Sequence, residues 1–279
     1  YCYIIYPIMH VIWIHNSMCF NVKTGVWNMK LSVCCIVKND TFYLNMMIKS
    51  ALQFADEIII VEDIDKPSKK NISKTDNQTL CESFNDKRIK YFNYDFGQHF
   101  GIGRQYAKEQ ATGDWIFFLD ADEVIHENAA SHIKEILKKG EEKANIDCFH
   151  VEYIHFINDF SHVDNSEPIH IGVYRIFKNY PKVKLNKRKN HALPEYKWKS
   201  TSICPLIQIW HLGYLRGIEK IKERFDRNYH YSEIHSKIHQ VKWRDWHYFG
   251  DYPTKKINIQ MIPQVIKDEY LMQLGGGLV

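Results

Sequence analysis

The feature that most constrains the fold of this chain is an apolar segment that ends abruptly in acidic residues. Residues 115–119 (Trp-Ile-Phe-Phe-Leu) carry no charge, and Asp120, Asp122 and Glu123 follow directly. An uncharged run of this length is typical of a fully buried strand. Because a buried charge is costly unless it is paired or bound to a metal, the acids must lie at the mouth of the strand or hold a cation. Ligands of open parallel sheets bind at this carboxyl edge, so the pattern predicts a site for a divalent metal and phosphate.

Strands and helices are predicted to alternate through the first half of the chain. This order is typical of βαβ units, so we predict an α/β fold with a mostly parallel sheet that is flanked by helices. Polar or acidic residues follow three of the predicted strands, and these strand ends should face one shared cleft. The predicted strands are residues 31–37, 57–61, 89–92 and 115–119, and the predicted helices are residues 44–54, 101–110 and 128–139.

The chain changes character after residue 146. Strands are predicted at residues 148–156, 172–177 and 203–211, and the tail from Ile218 has helical patterning. We expect these elements to complete the sheet and to form the second wall of the cleft.

Residues 1–28 differ from the rest of the chain. The apolar stretch at residues 3–14 is interrupted by Pro7 and His10 and is shorter than the ~20 residues that a membrane-spanning helix needs. It also lacks the positive start of a signal peptide. Because Met29 directly precedes a strong strand, we interpret residues 1–28 as a non-native or disordered leader. A genuine anchor at a membrane surface is the alternative.

The composition restricts the partners and the compartment. With 45% hydrophobic and 25% charged residues, the chain has ordinary globular composition, which excludes a disordered protein. A formal net charge of +4 suits an anionic ligand such as a nucleotide, but it is far from a nucleic-acid-binding signature, so no nucleic acid is expected as a partner. The seven cysteines form no Cys-x-x-Cys pair, which favours a reducing compartment and a cytoplasmic location.

Several segments match the motif order of one enzyme family. Residues 31–40 (Leu-Ser-Val-Cys-Cys-Ile-Val-Lys-Asn-Asp) resemble the opening strand and turn of family 2 glycosyltransferases, and residues 56–63 resemble their second strand. Residues 100–105, followed by Asp-Ala-Asp-Glu at residues 120–123, are similar to the family's helix and Asp-x-Asp metal motif. The acceptor-side motifs of the family are resembled by residues 174–178, 190–191 and 210–214. The resemblance is closest to a subgroup of the family in which a Lys-Asn-Glu turn follows the first strand. This chain has Asp40 in place of that glutamate.

The resemblance implies a GT-A-like fold and a metal-dependent, inverting glycosyltransferase. Such an enzyme moves a sugar from a nucleoside diphosphate donor to a glycan or lipid-linked acceptor, and Mn²⁺ or Mg²⁺ neutralises the leaving diphosphate. Residues 29–145 would form the nucleotide-sugar-binding half, and residues 146–279 the acceptor-binding half with the C-terminal helices. The basic stretch at residues 178–189 suggests peripheral contact with the inner face of a membrane, with a solvated loop as the alternative.

The resemblance also assigns roles in donor binding. Asp122 is implied as a metal ligand, and His211 matches the position of a third metal ligand in related enzymes. Because Asp120 and Asp122 are two residues apart, they point to the same side of an extended strand end, and Asp120 is expected to contact the ribose. The residues expected to bind the donor nucleotide are Val37, Asn39, Asp40, Glu62, Asp63, Arg104, Asp120 and Ala121, with either Glu62 or Asp63 as the acid of the second strand that reaches it.

Two of these residues also have simpler interpretations. Arg104 follows Gly101-x-Gly103 at the predicted start of a helix, where N–H groups and a guanidinium both favour a phosphate. A surface salt bridge is the alternative for Arg104. For His211, a role in the core or on the surface is the alternative to metal binding, because the chain has 15 histidines. Glu123 is expected to be structural.

Inverting transfer also needs a base that takes the proton of the acceptor hydroxyl. The sequence does not place any acid against the sugar, so several residues remain candidates for this catalytic role. The candidates are Glu195, Glu167, His191, Asp159 and Asp164, with a slight preference for Glu195 or Glu167.

Other functions remain open at this point. A sugar-phosphate nucleotidyltransferase usually carries a Gly-rich loop with Arg or Lys after its first strand, which residues 38–41 lack. A catalytically degenerate nucleotide- or carbohydrate-binding module would be favoured if Asp122 and His211 lay too far apart to share an ion. The two carboxylates of a glycosidase stand ~5 to 9 Å apart across a sugar, whereas acids two residues apart on one strand end fit a cation better.

Overall fold

The computed structural model describes residues 29–64, 74–157, 159–165, 171–187, 194–215 and 253–275. The predicted leader at residues 1–28, the candidate bases Glu167 and His191, and most of the predicted helical tail after Ile218 lie outside these ranges.

An eight-stranded mixed sheet forms the centre of the fold, in the order β3-β2-β1-β4-β8-β6-β11-β5. Two further pairs, β9 with β10 and β7 with β12, form small sheets of their own. The strands are β1 (Leu31–Val37), β2 (Glu57–Asp63), β3 (Ile89–Tyr94), β4 (Trp115–Phe118), β5 (Glu123–Ile125), β6 (Cys148–His155), β7 (His162–Asp164), β8 (Ile171–Lys178), β9 (Lys184–Leu185), β10 (Pro194–Glu195), β11 (Thr201–His211) and β12 (Thr254–Lys256). The α-helices are α1 (Thr41–Ala51), α2 (Asp76–Ser83), α3 (Phe100–Gln110), α4 (Glu127–Ala130), α5 (Ile133–Ala144) and α6 (Gln264–Gly275).

Strands β3, β2, β1 and β4 run parallel to one another, as predicted for the first half. Helices cover both faces of this part of the sheet. Leu31 and Val33 of β1 share one core cluster with Leu44 of α1, whereas Cys34 shares the opposite cluster with Ala107 of α3. Burial on both faces explains why β1 and β4 are continuous apolar runs, whereas the half-exposed β3 at the edge carries polar residues.

The second half of the sheet is mixed. β8 lies between β4 and β6 and runs antiparallel to both, while β11 runs parallel to β6 and antiparallel to β5. Since two reversals restore the original direction, β4, β6 and β11 all point the same way. Their carboxyl ends therefore meet those of β1 and β2 at one edge of the sheet, where the predicted cleft lies.

The single helix predicted at residues 128–139 is two helices, α4 and α5. The break falls at Ser131 and His132, whose side chains both donate to the backbone carbonyl of Asn128 at 2.9 Å. Local side-chain bonds of this kind compete with the helical ladder, so the prediction of one helix is wrong. α5 is followed by Asn145, which caps the helix with a left-handed φ of 50° that asparagine tolerates at a helix terminus. Within the described ranges, no helix is both long and apolar enough to cross a membrane.

Candidate active site

The Asp-Ala-Asp-Glu sequence forms a turn between β4 and β5. The backbone N–H of Glu123 donates to the carbonyl of Asp120 (3.0 Å), and the side chain of Glu123 accepts from the backbone N–H of Asp120 (2.8 Å). Pairing of β5 with β11 places Glu123 opposite His211, and the N–H of Leu212 donates to the carbonyl of Asp122 (2.8 Å). These bonds fix the turn against the end of β11.

Two arginines hold the carboxylate of Asp120. Arg104 of α3 places its Nη2 2.5 Å from Oδ1, and Arg175 of β8 places its Nη2 3.2 Å from Oδ2. Burial alone would raise the pKa of Asp120, but the charges and hydrogen bonds of Arg104 and Arg175 hold that pKa well below its usual range. Asp120 is therefore an anion at neutral pH that is held by two guanidinium groups.

Arg175 also joins the turn to the neighbouring strands. Its Nη2 lies 2.7 Å from Oε1 of Glu123, and its Nε donates to the hydroxyl of Tyr153 (2.5 Å). Burial raises the pKa of Glu123 to about 7, although the charge of Arg175 acts to lower it. Sequence reasoning placed Arg175 only within the acceptor-side resemblance of residues 174–178 and gave it no contact with the acidic turn. The sequence did carry a signal for a buried partner of Arg175, because an arginine in the middle of a buried strand must be paired inside the protein.

Asp122 and His211 face each other at the end of β11. The Oδ1 atom of Asp122 lies 3.8 Å from Nε2 of His211, and both side chains are only 8% exposed. This distance is too long for a hydrogen bond. An octahedral ion with metal–ligand distances of roughly 2.1 Å separates neighbouring ligand atoms by roughly 3 Å, so a shift of less than about 1 Å would let both side chains bind one ion. Carboxylate oxygen suits Mn²⁺ or Mg²⁺, and imidazole nitrogen is a common metal ligand.

No group of three or more His, Cys, Asp or Glu side chains among the described residues could hold a metal ion. Asp122 and His211 would thus supply two ligands, and water and donor phosphates the others, as is usual for Mg²⁺ at phosphate sites. The large separation of Asp122 and His211 that would have favoured a degenerate binding module is therefore not observed.

His155 is a second histidine at this edge, and sequence reasoning did not single it out. It is the last residue of β6, next to His211 in the parallel register of β6 and β11. The Nδ1 atoms of the two rings lie 2.9 Å apart. The sequence signal that could have found His155 is its place as a polar residue at the carboxyl end of a predicted strand.

Protein groups bind both acids at the end of β2. Glu62 accepts hydrogen bonds from the side chains of Asn77 (2.8 Å), Thr75 (2.6 Å) and Tyr91. Asp63 accepts bonds of 3.1, 3.2 and 2.9 Å from the backbone N–H groups of residues 96–98. Glu62 thus links α2 and β3 to the end of β2. Asp63 orders the loop that leads into α3. Direct contact of either acid with the nucleotide stays a prediction.

The remaining residues predicted to bind the nucleotide lie around the ends of β1 and β4. Val37 is the buried last residue of β1, Asn39 has a positive φ of 50° in the next turn, and Asp40 directly precedes α1. Ala121 is buried between the two aspartates of the acidic turn. All four lie at the same edge of the sheet as Asp120.

The structure leaves the catalytic base unassigned. Glu195 is exposed on β10, opposite Lys184 of β9. Asp159 accepts bonds from the backbone N–H and hydroxyl of Ser161, and Asp164 belongs to β7. Glu167 and His191 lie outside the described residues. The assignment of the base therefore stays a prediction.

Comparison with known families decides where the chain belongs. The model of glycosyl transferase family 2 matches residues 32–194, which is more than half of the chain. The chain belongs to glycosyl transferase family 2. This agrees with the predicted glycosyltransferase family, and the α/β sheet flanked by helices agrees with the predicted fold class. Membership in this family also argues against a sugar-phosphate nucleotidyltransferase.

The family 2 chain is similar to curated glycosyltransferases of known name. It is 25% identical over 243 residues to the SPbeta prophage-derived glycosyltransferase SunS of Bacillus subtilis (strain 168), and to the same extent to glycosyltransferase SunS of Bacillus phage SPbeta. The match covers 80% of this chain and 52% of each relative, so the chain spans about half the length of the curated relatives it matches.

Among solved structures, the crystal structure of S. aureus TarS 1–349 has a TM-score of 0.46 and 13% sequence identity, over 66% of this chain and 60% of that chain. The same TarS fragment in complex with UDP-GlcNAc has a TM-score of 0.42 and 13% identity, over 63% of this chain and 59% of that chain.

Proposed function

We propose that this family 2 glycosyltransferase is metal-dependent and inverting, and that it moves a sugar from a nucleoside diphosphate donor to a glycan or lipid-linked acceptor. The observation that carries the proposal is the pair of Asp122 and His211, with ligand atoms 3.8 Å apart, beside the carboxylate of Asp120. This pair offers a cation two ligands of suitable chemistry, and the arginines bound to Asp120 add positive charge at the same edge.

Each residue of the pair and its neighbours has a role in donor binding. Mn²⁺ or Mg²⁺ held by Asp122 and His211 would neutralise the charge that develops on the leaving diphosphate. Arg104 donates to phosphate oxygens, for which a planar guanidinium is well suited, while the bonds of Arg175 to Asp120 and Glu123 hold the acidic turn in place. Asp120 accepts from the ribose hydroxyls, because each carboxylate oxygen keeps acceptor capacity beyond the bond to its arginine.

The acceptor hydroxyl attacks the anomeric carbon from the face opposite the diphosphate. Its proton passes to a base as the new C–O bond forms and the bond to the diphosphate breaks. We propose Glu195, Glu167 or His191 as this base. Glu195 is open to solvent on β10, so an incoming acceptor could reach it.

The proposal extends to a cytoplasmic enzyme that contacts a membrane at its periphery. Lys182 and Lys187 of the basic stretch are exposed, whereas Lys178 is paired with Glu141. Exposed lysines attract anionic lipid headgroups, which supports such contact.

A donor-hydrolysis screen tests the proposal. The full chain is incubated with UDP-, GDP- and CMP-sugars with and without Mn²⁺, and release of the nucleotide is measured. We expect one nucleoside diphosphate sugar to be consumed only when the metal is present. Asp122→Ala should abolish that turnover and weaken nucleotide binding, since it removes one of the two metal ligands.

Asp268→Asn is the matched control. Asp268 is exposed on α6 and bonded to Gln264, so its amide variant should behave like the wild type. Turnover that does not depend on the metal, together with unchanged nucleotide binding by Asp122→Ala, would overturn metal dependence. Tight nucleotide binding without turnover of any donor would instead favour a binding module.

A further inference from the structure

Two histidine rings lie in contact at the end of the sheet. His155 and His211 are partners in the register of β6 and β11, and their Nδ1 atoms lie 2.9 Å apart. The ring planes are nearly perpendicular, at 86°. This geometry is a hydrogen bond in which one Nδ1 donates and the other accepts.

The bond restricts the tautomers of the pair. A neutral imidazole carries one N–H, so a ring that donates through Nδ1 leaves its Nε2 as a lone pair. The Nε2 atom of His211 is the one that faces Oδ1 of Asp122, at 3.8 Å. His211 can bind a cation through Nε2 only if its Nδ1 carries the proton. His155 must then accept the hydrogen bond from this N–H at its own Nδ1.

The position of the His155 ring is itself fixed by packing. The ring stacks on Tyr153 with a centroid distance of 5.2 Å and an interplanar angle of 2°. The hydroxyl of Tyr153 accepts from Nε of Arg175, the arginine that also binds Asp120. The ring of His155 thus lies on a support that is tied to the acidic turn.

We propose that His155 is a positioning residue that selects the Nδ1–H tautomer of His211 and so directs its Nε2 lone pair toward Asp122 and a divalent cation. This inference rests on the metal dependence proposed above. His155 itself does not touch the cation. It acts by accepting one hydrogen bond and by fixing the ring plane of His211.

A pair of substitutions separates the hydrogen bond from the packing. His155→Phe keeps an aromatic ring that can stack on Tyr153, but it removes the acceptor. His155→Asn removes the ring, but it retains a polar atom close to the position of Nδ1 that can accept from His211. We expect Mn²⁺ affinity, measured by electron paramagnetic resonance titration in the presence of UDP, to fall roughly 10- to 100-fold in His155→Phe, the range typical for loss of such a partner. His155→Asn should retain most of the affinity.

His150→Phe is the matched control on the same strand. His150 packs against Tyr174, with a centroid distance of 5.0 Å. Its substitution by phenylalanine should change the Mn²⁺ affinity little. A second readout needs no metal. In ¹⁵N spectra of labelled protein, His211 should be the Nδ1–H tautomer in the wild type and in His155→Asn, and it should lose this preference in His155→Phe.

The outcomes separate this inference from the proposed function. Equal Mn²⁺ affinity in the wild type and His155→Phe overturns the role of His155 alone. Equal losses in His155→Phe and His155→Asn overturn it as well, because packing of the ring would then explain the effect. Absence of Mn²⁺ binding by the wild type overturns the proposed metal dependence and the role of His155 with it.

Discussion

Arg175 and Glu123 form a largely buried ion pair, with Nη2 2.7 Å from Oε1, that ties β8 to the turn carrying Asp120 and Asp122. Glu123 in turn accepts from the backbone N–H of Asp120. The shape of the acidic turn therefore depends on a strand that enters the sheet much later in the chain.

Removal of one partner of this ion pair should be destabilising. Arg175→Met leaves Glu123 buried without its cation, and because the pKa of Glu123 already stands at about 7, the acid can take up a proton, so we expect the free energy of unfolding to fall by roughly 1–3 kcal/mol. In the double variant Arg175→Met with Glu123→Gln, no unpaired charge is buried, and part of the loss should be recovered. Urea unfolding of the single and double variants measures both effects. Strictly additive losses would contradict the coupling.

Arg104 should contribute to donor affinity through the geometry of its guanidinium. Arg104→Lys keeps the charge but loses the planar fork that binds Asp120. If one charge-assisted bond to the donor is lost, roughly 1.5–3 kcal/mol of binding free energy is lost with it, and the Kd for the nucleotide rises about 10- to 100-fold. Calorimetric titration with the nucleotide measures this change. Arg88→Lys is the control. Arg88 directly precedes β3 and is bonded to Asp86, so its substitution should leave the Kd for the nucleotide unchanged.

Glu57 should make stability depend on pH at the opposite edge of the sheet. Burial alone would raise the pKa of Glu57, but hydrogen bonds from Lys90, Ser32 and Thr112 lower it overall. Because the pKa is lower in the folded state, the stabilisation is complete above the ordinary glutamate value and is lost as the pH falls through the folded value. Glu57→Gln should cost roughly 1–3 kcal/mol at neutral pH.

Urea unfolding at a series of pH values tests the Glu57 prediction. The difference between the wild type and Glu57→Gln should shrink as the pH falls below about 4. A difference that stays constant down to acid pH would contradict the assigned cause. Glu142→Gln on the exposed face of α5 is the control, because its pairing with Lys138 at 3.5 Å is a surface contact of small value.

Gly103 should be required for packing. A Cβ atom at this position would lie 2.9 Å from Cδ1 of Phe96, whose backbone N–H is bound by Asp63. Gly103→Ala should therefore cost roughly 1–3 kcal/mol by overpacking and should disturb the loop before α3. Thermal unfolding measures the loss. Adding Phe96→Leu should restore stability, because it makes room for the methyl group, and a failure to restore it would contradict the steric cause.

The local patterns of the sequence predicted the parallel half of the fold well. β1 has the predicted bounds, and β4 ends at Phe118, one residue before the predicted end. These strands could be predicted because they are buried on both faces and carry an uninterrupted apolar signal. The same logic placed Asp120 and Asp122 directly after a buried strand.

The mixed half of the sheet could not be predicted to the same degree, because its arrangement depends on distant partners. Nothing local in β8 indicates that it lies antiparallel between β4 and β6. Arg175 is 52 residues from Glu123 and 55 from Asp120, so no spacing rule could reveal this network. The pattern Gly101-x-Gly103 before Arg104 is interpreted from the sequence as part of a phosphate site. The structure gives Gly103 a steric role, because Phe96 packs against it.

The pairing of β5 with β11 would give the proposed cation an influence beyond the reaction. Asp122 belongs to the turn before β5, and His211 ends β11, so an ion held by both would join two segments that are far apart in the chain. Such an ion would bind the folded state alone, and mass action would then couple its concentration to the folding equilibrium. In the proposed enzyme, the supply of Mn²⁺ or Mg²⁺ would set how firmly the two halves of the sheet are held together, as well as how fast sugar is transferred.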